Sequence, residues 1–439
     1  MSWAFRLYVS GLIVCPLLMV FNDGASRALA GAFCLLLLLI VLVAIRPGEA
    51  KFGLGLLRPF LVLAGLPAIW IVIQTAPVPT ALMTQLLPGW IGGNAEARSA
   101  WTTISIDPNA SLLALATYFC AIALSVSATF LAIERSRAER LLVLLAALTT
   151  IVALVLAIHD LGGFFFLGEI TSVGPRAAIT SAAVVGVLLD AAAAVLVIER
   201  FETRRKRGKF AVSTVIGGLI ASIFAGALCL LTLVLFSSQA AVFAALTGLG
   251  AQLLITAFRR LGLSPRSGYL LAAIGIAVPL AFVAGHLSIA SRDLTLRFDM
   301  QAPANILAAA QDAIASAPLV GFGAGTFKAV MSADIQMDGA HTMSAATSPT
   351  TMAGLALELG RPVALLILAA AFALAVLLIR CALKRGRDSF FPALGSAAVL
   401  ALSAEAFSDA SLFSPTMIAI SAAVLGLAIA QSASRSQTS

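Results

Sequence analysis

The chain has 439 residues, of which 61% are hydrophobic and only 11% charged. Soluble domains carry about 25% charged residues, so this chain has too few to build a water-facing surface. The composition excludes a soluble enzyme, a disordered chain and a disulfide-stapled secreted domain. It leaves an all-α polytopic membrane protein.

Apolar runs of membrane-spanning length, roughly 17–25 residues each, fall near 7–21, 24–45, 54–75, 110–133, 140–158, 176–198, 210–236, 239–258, 268–290, 350–380, 389–409 and 414–431. They predict about twelve transmembrane helices in a single domain, 1–439, with one large, partly helical loop at 291–349. The start could be read as a cleaved leader, but apolar sequence running on to Ile45 argues against cleavage. Asp190 and Glu405 fall inside predicted spans. A carboxylate there is costly and points by default to function, unless a neighbouring helix satisfies it.

The net charge is +8, and its distribution is the informative part. Of the 28 Lys and Arg residues only seven fall in the gaps of one parity: Arg27, Arg98, Arg176, Arg292, Arg297, Lys328 and Arg361. All the others lie in the alternate gaps or at the termini. The positive-inside rule then predicts cytoplasmic termini and a periplasmic 291–349 loop. The run Arg204-Arg205-Lys206-Arg207 sits at a predicted cytoplasmic helix end. There it reads as a topology signal or an anionic-lipid contact, so the bilayer is a partner and nucleic acid is not. The five cysteines form no CxxC or Cys/His cluster, which implies neither a disulfide nor a zinc site.

Among the outer segments, 76–109 is rich in Pro and Trp and ends in Ile104-Ser-Ile-Asp107-Pro108. A smaller one, 159–175, carries His159, Asp160 and Glu169 around Phe164-Phe-Phe166. In the large loop, residues 303–317 predict an amphipathic helix with Ile306, Ala310, Ala313, Ile314 and Ala317 on its apolar face. Gly321-Phe-Gly323-Ala-Gly325-Thr326-Phe327 then opens a short helical stretch around 326–333. Such a loop is either a turn between two interfacial helices or an amide cradle for a phosphate. It lacks the spacing and the preceding strand of a dinucleotide site. After His341, Ser348 and Pro349 predict the cap and first residue of a helix reaching Arg380, bending at Pro362 or projecting beyond the bilayer. Glu358 and Arg361 stand three apart, on one helical face.

Arg292, Arg297, Lys328, His341, Glu358 and Arg361 converge in this stretch. Arginine binds phosphate bidentately and stays charged. Histidine titrates near neutrality and can take a proton from an attacking hydroxyl. The set suits a diphosphate leaving group and a hydroxyl nucleophile. The plain alternative is a surface histidine with solvated Arg–Asp pairs. No Asp/Glu cluster has metal-ligand spacing, so no metal is implied.

Pro318-Leu-Val-Gly321-Phe-Gly323-Ala-Gly325-Thr-Phe327, then His341, then Leu357-Glu358-Leu-Gly360 opening a membrane helix, resembles the signature of the O-antigen ligase and O-antigen/exopolysaccharide polymerase superfamily. The Ser105-Ile-Asp107-Pro108 element is similar to that family too. The resemblance implies a metal-independent glycosyltransferase of the bacterial inner membrane, with no cofactor. Its donor would be an undecaprenyl-diphosphate-linked glycan. Its acceptor would be another carrier-linked glycan, for a polymerase (slightly preferred), or lipid A-core, for a ligase. By this analogy His341 is the base, with Glu358 or His159 as the next candidates. Arg292, Arg297, Arg361 and Lys328 are candidate ligands of the diphosphate, with Gly321, Gly323 and Gly325 lining it. Where the family carries Asn-x-Asn before an earlier span, this chain has Gly174-Pro175-Arg176, which adds Arg176 to that group. The competing classes are a lipid-linked sugar flippase and a non-catalytic assembly subunit.

Overall fold

The computed structural model describes residues 2–19, 24–81, 101–162, 173–206, 212–261, 304–337, 348–385 and 388–433. Within them the chain is almost wholly helical, with one short antiparallel pairing of Val78–Pro79 and Trp101–Thr102. The helices are α1 Ser2–Val14, α2 Gly24–Ala44, α3 Pro47–Thr75, α4 Pro108–Leu131, α5 Arg135–Asp160, α6 Val173–Lys206 and α7 Val212–Phe236. They continue with α8 Gln239–Leu261, α9 Ala304–Ser316, α10 Phe327–Met337, α11 Thr351–Glu358, α12 Arg361–Lys384, α13 Phe390–Glu405 and α14 Pro415–Ala430.

The architecture is that of an all-α membrane protein. Seven of these helices, α3 to α8 and α12, are long and apolar enough to cross a bilayer. Four further apolar stretches are shorter: Ser2–Leu17, Ala28–Ala44, α13 and α14. The predicted span at 268–290 lies outside the described residues.

The predicted helix from Pro349 to Arg380 is two helices. It breaks at Leu359-Gly360, where Gly360 has φ 89° and ψ 149°, a conformation that no α-helix contains. The break precedes Pro362 because Gly360 accepts this backbone and Pro362 then suits the first turn of α12. The expected cap also moves. Thr350, not Ser348, accepts from the Ala353 amide at 3.0 Å, while Ser348 donates to the Thr350 carbonyl at 2.6 Å. α9 matches its predicted amphipathic face: Ala310, Ala313 and Ile314 are buried against Met331 and Leu357.

α6 is the central helix. It buries 72% of its apolar stretch, against 17% for α3 and for α7, whose remaining faces are left for lipid. Ala182, Ala183, Val184, Leu188 and Leu189 of α6 are fully inaccessible. Small residues also let α14 press on α4: a Cβ on Gly426 would sit 2.5 Å from the Ser125 carbonyl. Hydroxyls within these helices return to the backbone four residues earlier, as Thr129 does to Ser125 at 2.8 Å and Thr232 to Leu228 at 2.9 Å. That satisfies a polar group where no water is present.

One end of the bundle is basic and cross-linked by charge. Arg135 of α5 pairs with Glu139 and with Asp388, each at 2.8 Å. Arg200 of α6 pairs with Glu139, and Arg259 of α8 reaches Glu199 at 3.3 Å. Gln431 donates to the Ala132 carbonyl at 2.7 Å and accepts from Arg385 at 2.9 Å. α4 and α12 both start at the opposite end, beside the glycine-rich loop, and run to this one.

The two carboxylates of the predicted spans differ in their surroundings. Asp190 of α6 accepts from Thr150 of α5 at 3.2 Å and lies beside Cys229 of α7, so its neighbours satisfy it. Glu405, at the end of α13, is fully buried, and neither carboxylate oxygen has a hydrogen bond among the described residues. Ser181 lies beside it but donates to Ser411 at 2.7 Å.

Candidate functional site

Four segments distant in sequence lock together at the end opposite the basic residues. The first is Ser105-Ile-Asp107-Pro108. Asp107 is the N-cap of α4: its Oδ1 accepts from the amides of Asn109 and Ala110 at 3.0 and 3.1 Å, and Pro108 starts the helix without needing a donor. Capping fixes the residues before it. The Ser105 amide donates to the Gln74 carbonyl at 3.0 Å and the Ile106 amide to Phe322 at 2.9 Å. Ser111, one turn into α4, donates to the Ala324 carbonyl at 2.8 Å and accepts from Ser105 at 2.8 Å.

The second segment is the glycine-rich loop. Gly321, Gly323 and Gly325 all have positive φ, from 75° to 110°. At Gly321 the requirement is also spatial, since a Cβ would lie 2.3 Å from the Glu358 carbonyl. The third segment, Leu357-Glu358-Leu-Gly360, pairs with that loop. The Phe322 amide donates to the Leu357 carbonyl at 3.0 Å and the Gly323 amide to Glu358 at 2.9 Å.

The fourth is the end of α3. Gln74 Nε2 donates to the carbonyls of Val320 and Glu358 at 2.8 and 3.0 Å, and Trp70 Nε1 donates to Leu359 at 2.9 Å. The result is a clasp in which helix breaks satisfy one another's orphan carbonyls.

The clasp decides what the glycine loop holds. Glu358 Oε1 accepts from the Phe327 amide, the first residue of α10, at 3.3 Å, and the Gly325 amide also points to it. The loop is an amide cradle, and the group in it is the protein's own Glu358 carboxyl. Burial pushes the Glu358 carboxyl up to about 7, while the amides of Gly325 and Phe327 pull the other way. Glu358 lies beyond the membrane-crossing α12. It does not pair with Arg361, as the helical spacing suggested, because the break at Gly360 turns the two apart. Arg361 instead donates to the Ile314 carbonyl at 2.7 Å, closing the end of α9.

The other predicted residues that are described separate. Lys328 is exposed in the first turn of α10. Arg176, at the start of α6, grips Asp160 with both terminal nitrogens, at 2.7 and 3.3 Å, and donates to the Phe236 carbonyl at 3.2 Å. His159 Nδ1 lies 3.3 Å from the same Asp160 carboxylate. His341, Arg292 and Arg297 lie outside the described residues. Trp70, Gln74 and Ser111 were missed by the sequence reading. The signal available for the first two was a Trp and a Gln one turn apart at the end of an otherwise apolar span.

Among the described residues no group of three or more His, Cys, Asp or Glu side chains could hold a metal ion. No protein-family model matches the chain, and no curated protein matches it.

Proposed function

We propose that this protein is a metal-independent glycosyltransferase of bacterial surface-polysaccharide assembly. It transfers a glycan from an undecaprenyl-diphosphate carrier at the periplasmic face of the inner membrane, with polymerase slightly preferred over O-antigen ligase. The observation that carries this reading is the clasp. The three described motif segments that resemble the ligase/polymerase superfamily, around Asp107, Gly323 and Glu358, are hydrogen-bonded to one another at one end of the bundle. The opposite end is the basic one, which the positive-inside rule assigns to the cytoplasm. On this reading twelve spans place both termini in the cytoplasm.

In this mechanism His341 takes the proton of the acceptor hydroxyl. The hydroxyl oxygen attacks the anomeric carbon, the bond from that carbon to the diphosphate oxygen breaks, and undecaprenyl diphosphate leaves with the bonding pair. Arg292, Arg297 and Lys328 are the cations assigned to the diphosphate. Arg176 and Arg361 already hold a carboxylate and a carbonyl, so their assigned part is to fix the surrounding helices. Glu358 likewise holds α10 rather than a reacting proton.

A positioned base contributes about 10²–10⁴-fold. His341→Ala is therefore expected to remove most product at unchanged membrane levels, and chelators to have little effect. The lipid-linked glycans of a deletion strain separate the two activities. Single carrier-linked repeats indicate a polymerase, and long chains left on the carrier indicate a ligase. A normal glycan profile in both the deletion and the His341→Ala strain refutes glycosyl transfer. A lipid-linked sugar transporter is the second reading, favoured by the buried carboxylate of Glu405, whose oxygens have no hydrogen bond among the described residues.

A further inference from the structure

α13 ends at Glu405, and the chain turns through Ala406-Phe-Ser-Asp409 into a short 3₁₀ segment, Ser411–Phe413, before α14. Two carboxyls and two hydroxyls meet at this turn. Ser181 of α6 reaches across and donates to Ser411 Oγ at 2.7 Å. The Ser411 amide donates to Asp409 Oδ1 at 2.9 Å, and its hydroxyl faces the same carboxyl. Ser181 also lies beside Glu405. The order in space is therefore Glu405, Ser181, Ser411, Asp409.

A hydroxyl has one proton to give. That of Ser181 goes to Ser411, so only lone pairs remain for Glu405. Glu405 is 0% exposed, and neither of its oxygens has a hydrogen bond among the described residues. Ionised, it would be a buried charge facing an acceptor, with Asp409 as its charged neighbour. The helices packed on α13 are α6, α8, α12 and α14, and among the described residues they bring it no cation. α14 has no charged side chain. α8 has only Arg259 and Arg260, at the basic end, where Arg380 and Lys384 of α12 also lie. Arg361, at the start of α12, donates to Ile314. On α6, Arg176 holds Asp160, Asp190 lies nine residues beyond Ser181 beside Thr150, and the charges from Glu199 onward are at the basic end. On α11, which also meets this turn, Glu358 is in the clasp. A carboxyl so placed takes a proton rather than stay charged.

We propose that Glu405 and Asp409 form a binding site for one proton, joined by a relay through Ser181 and Ser411. With the proton on Glu405, Glu405 donates to Ser181, Ser181 to Ser411, and Ser411 to the Asp409 carboxylate. One proton and one negative charge then satisfy all four groups, where two negative charges would repel. Transfer reverses each link. Glu405 gives its proton to Ser181, Ser181 passes its own to Ser411, and Ser411 passes its own to Asp409, so the charge ends on Glu405. The site also anchors α11. The Asp409 carbonyl accepts from the Thr351 amide and hydroxyl at 2.7 and 2.9 Å, and the Ala406 carbonyl accepts from Met352 at 2.8 Å. At its other end α11 holds the glycine loop through the carbonyls of Leu357 and Glu358. The bound proton thus prevents repulsion across the turn from which α11 starts. The inference is independent of the reaction proposed above and holds equally for a transporter.

The test is infrared difference spectroscopy of the full-length protein in nanodiscs, wild type minus Glu405→Gln, followed from acid to alkaline pH. At neutral pH the difference is expected to contain the C=O stretch of a protonated carboxyl. Ser181→Ala removes the acceptor of that proton, so in its background the stretch should move to higher frequency. Asp409→Asn removes the second charge, so Glu405 should lose its proton at a pH lower by about one unit or more, as coupled sites do. Melting temperatures check that each variant is folded. Glu405→Asp is the second reference, since it keeps a carboxyl and should displace the stretch rather than delete it. Absence of the stretch at neutral pH would show Glu405 ionised and end the proposal. A stretch abolished by sodium chloride but not by choline chloride would make this a metal-cation site instead. A titration unchanged by Asp409→Asn, or a frequency unchanged by Ser181→Ala, would leave Glu405 an isolated buried acid with no shared proton.

Discussion

Gly360→Ala tests the clasp most directly. Gly360 has φ 89° and ψ 149°, a region open essentially to glycine alone, where another residue costs of order 1–3 kcal/mol. The added Cβ would also sit 2.0 Å from the Leu319 carbonyl oxygen and 3.0 Å from the Gly321 amide nitrogen. Both are backbone atoms, so no side chain can swing aside. The two strands of the clasp must separate, which removes the bonds from Phe322 to Leu357, from Gly323 to Glu358 and from Gln74 to Val320. At about 1 kcal/mol net for each bond, the combined cost is roughly 4–6 kcal/mol. A loss of that size concentrated at one end should open the clasp locally rather than unfold the bundle. α10 then loses Glu358 from its first turn, and trypsin gains access to the bond after Lys328. Cleavage there should accelerate by about 100-fold or more, as expected when a protease samples the opened population. Arg361 contributes no competing cut, because Pro362 follows it. Gly55→Ala is the control, since nothing lies within 4 Å of its new methyl group. Cleavage after Lys328 at the same rate in wild type, Gly360→Ala and Gly55→Ala would refute this account of the clasp.

Glu358 should make stability depend on pH. Its folded value of about 7 exceeds the ordinary 4.5, so between these values the unfolded chain has lost a proton that the folded chain keeps. Stability is therefore greatest below about pH 4.5 and falls as pH rises to about 7, by roughly 3 kcal/mol. Glu358→Gln should lose this part of the slope across that window in detergent melting curves, and a slope identical to wild type would remove Glu358 as its cause. Asp107→Ala should cost about 1 kcal/mol by removing the cap of α4, and Asp107→Asn much less. Melting temperatures of the two variants check this, with equal losses counting against a capping role.

Composition and the length of the apolar runs carried the all-α membrane class, because a helix in lipid must satisfy its own backbone and so announces itself by length and apolarity. Helix α9 and its buried Ala310, Ala313 and Ile314 followed from the same periodic argument. The site was less legible. The glycine loop left two readings open because φ values and amide directions have no composition. Only the folded chain shows that Glu358 fills the cradle. The Glu358–Arg361 spacing misled because helical periodicity assumes an unbroken helix, and Gly360 breaks it. Arg176 looked like a free cation because its partner Asp160 lies on the preceding helix, beyond any local pattern. Trp70 and Gln74 were hidden for the same reason, since their partners come from the far end of the chain.

That distance bears on how the protein is made. Gln74 and its acceptor at Glu358 are 284 residues apart, and Trp70 and Leu359 are 289 apart. At about 5–20 residues per second, α3 is in the bilayer for roughly 15–60 s before its partners are synthesised. During that interval an indole N–H and a carboxamide wait without their carbonyls. Both lie in the last two turns of α3, where the helix meets the headgroups, so water can serve them meanwhile. At midplane the same two donors would oppose the insertion of α3. The segments of the clasp can then be laid down one by one and joined only after residue 360 has emerged. Assembly of this end of the molecule is thus a late event in biogenesis, set by the order of translation.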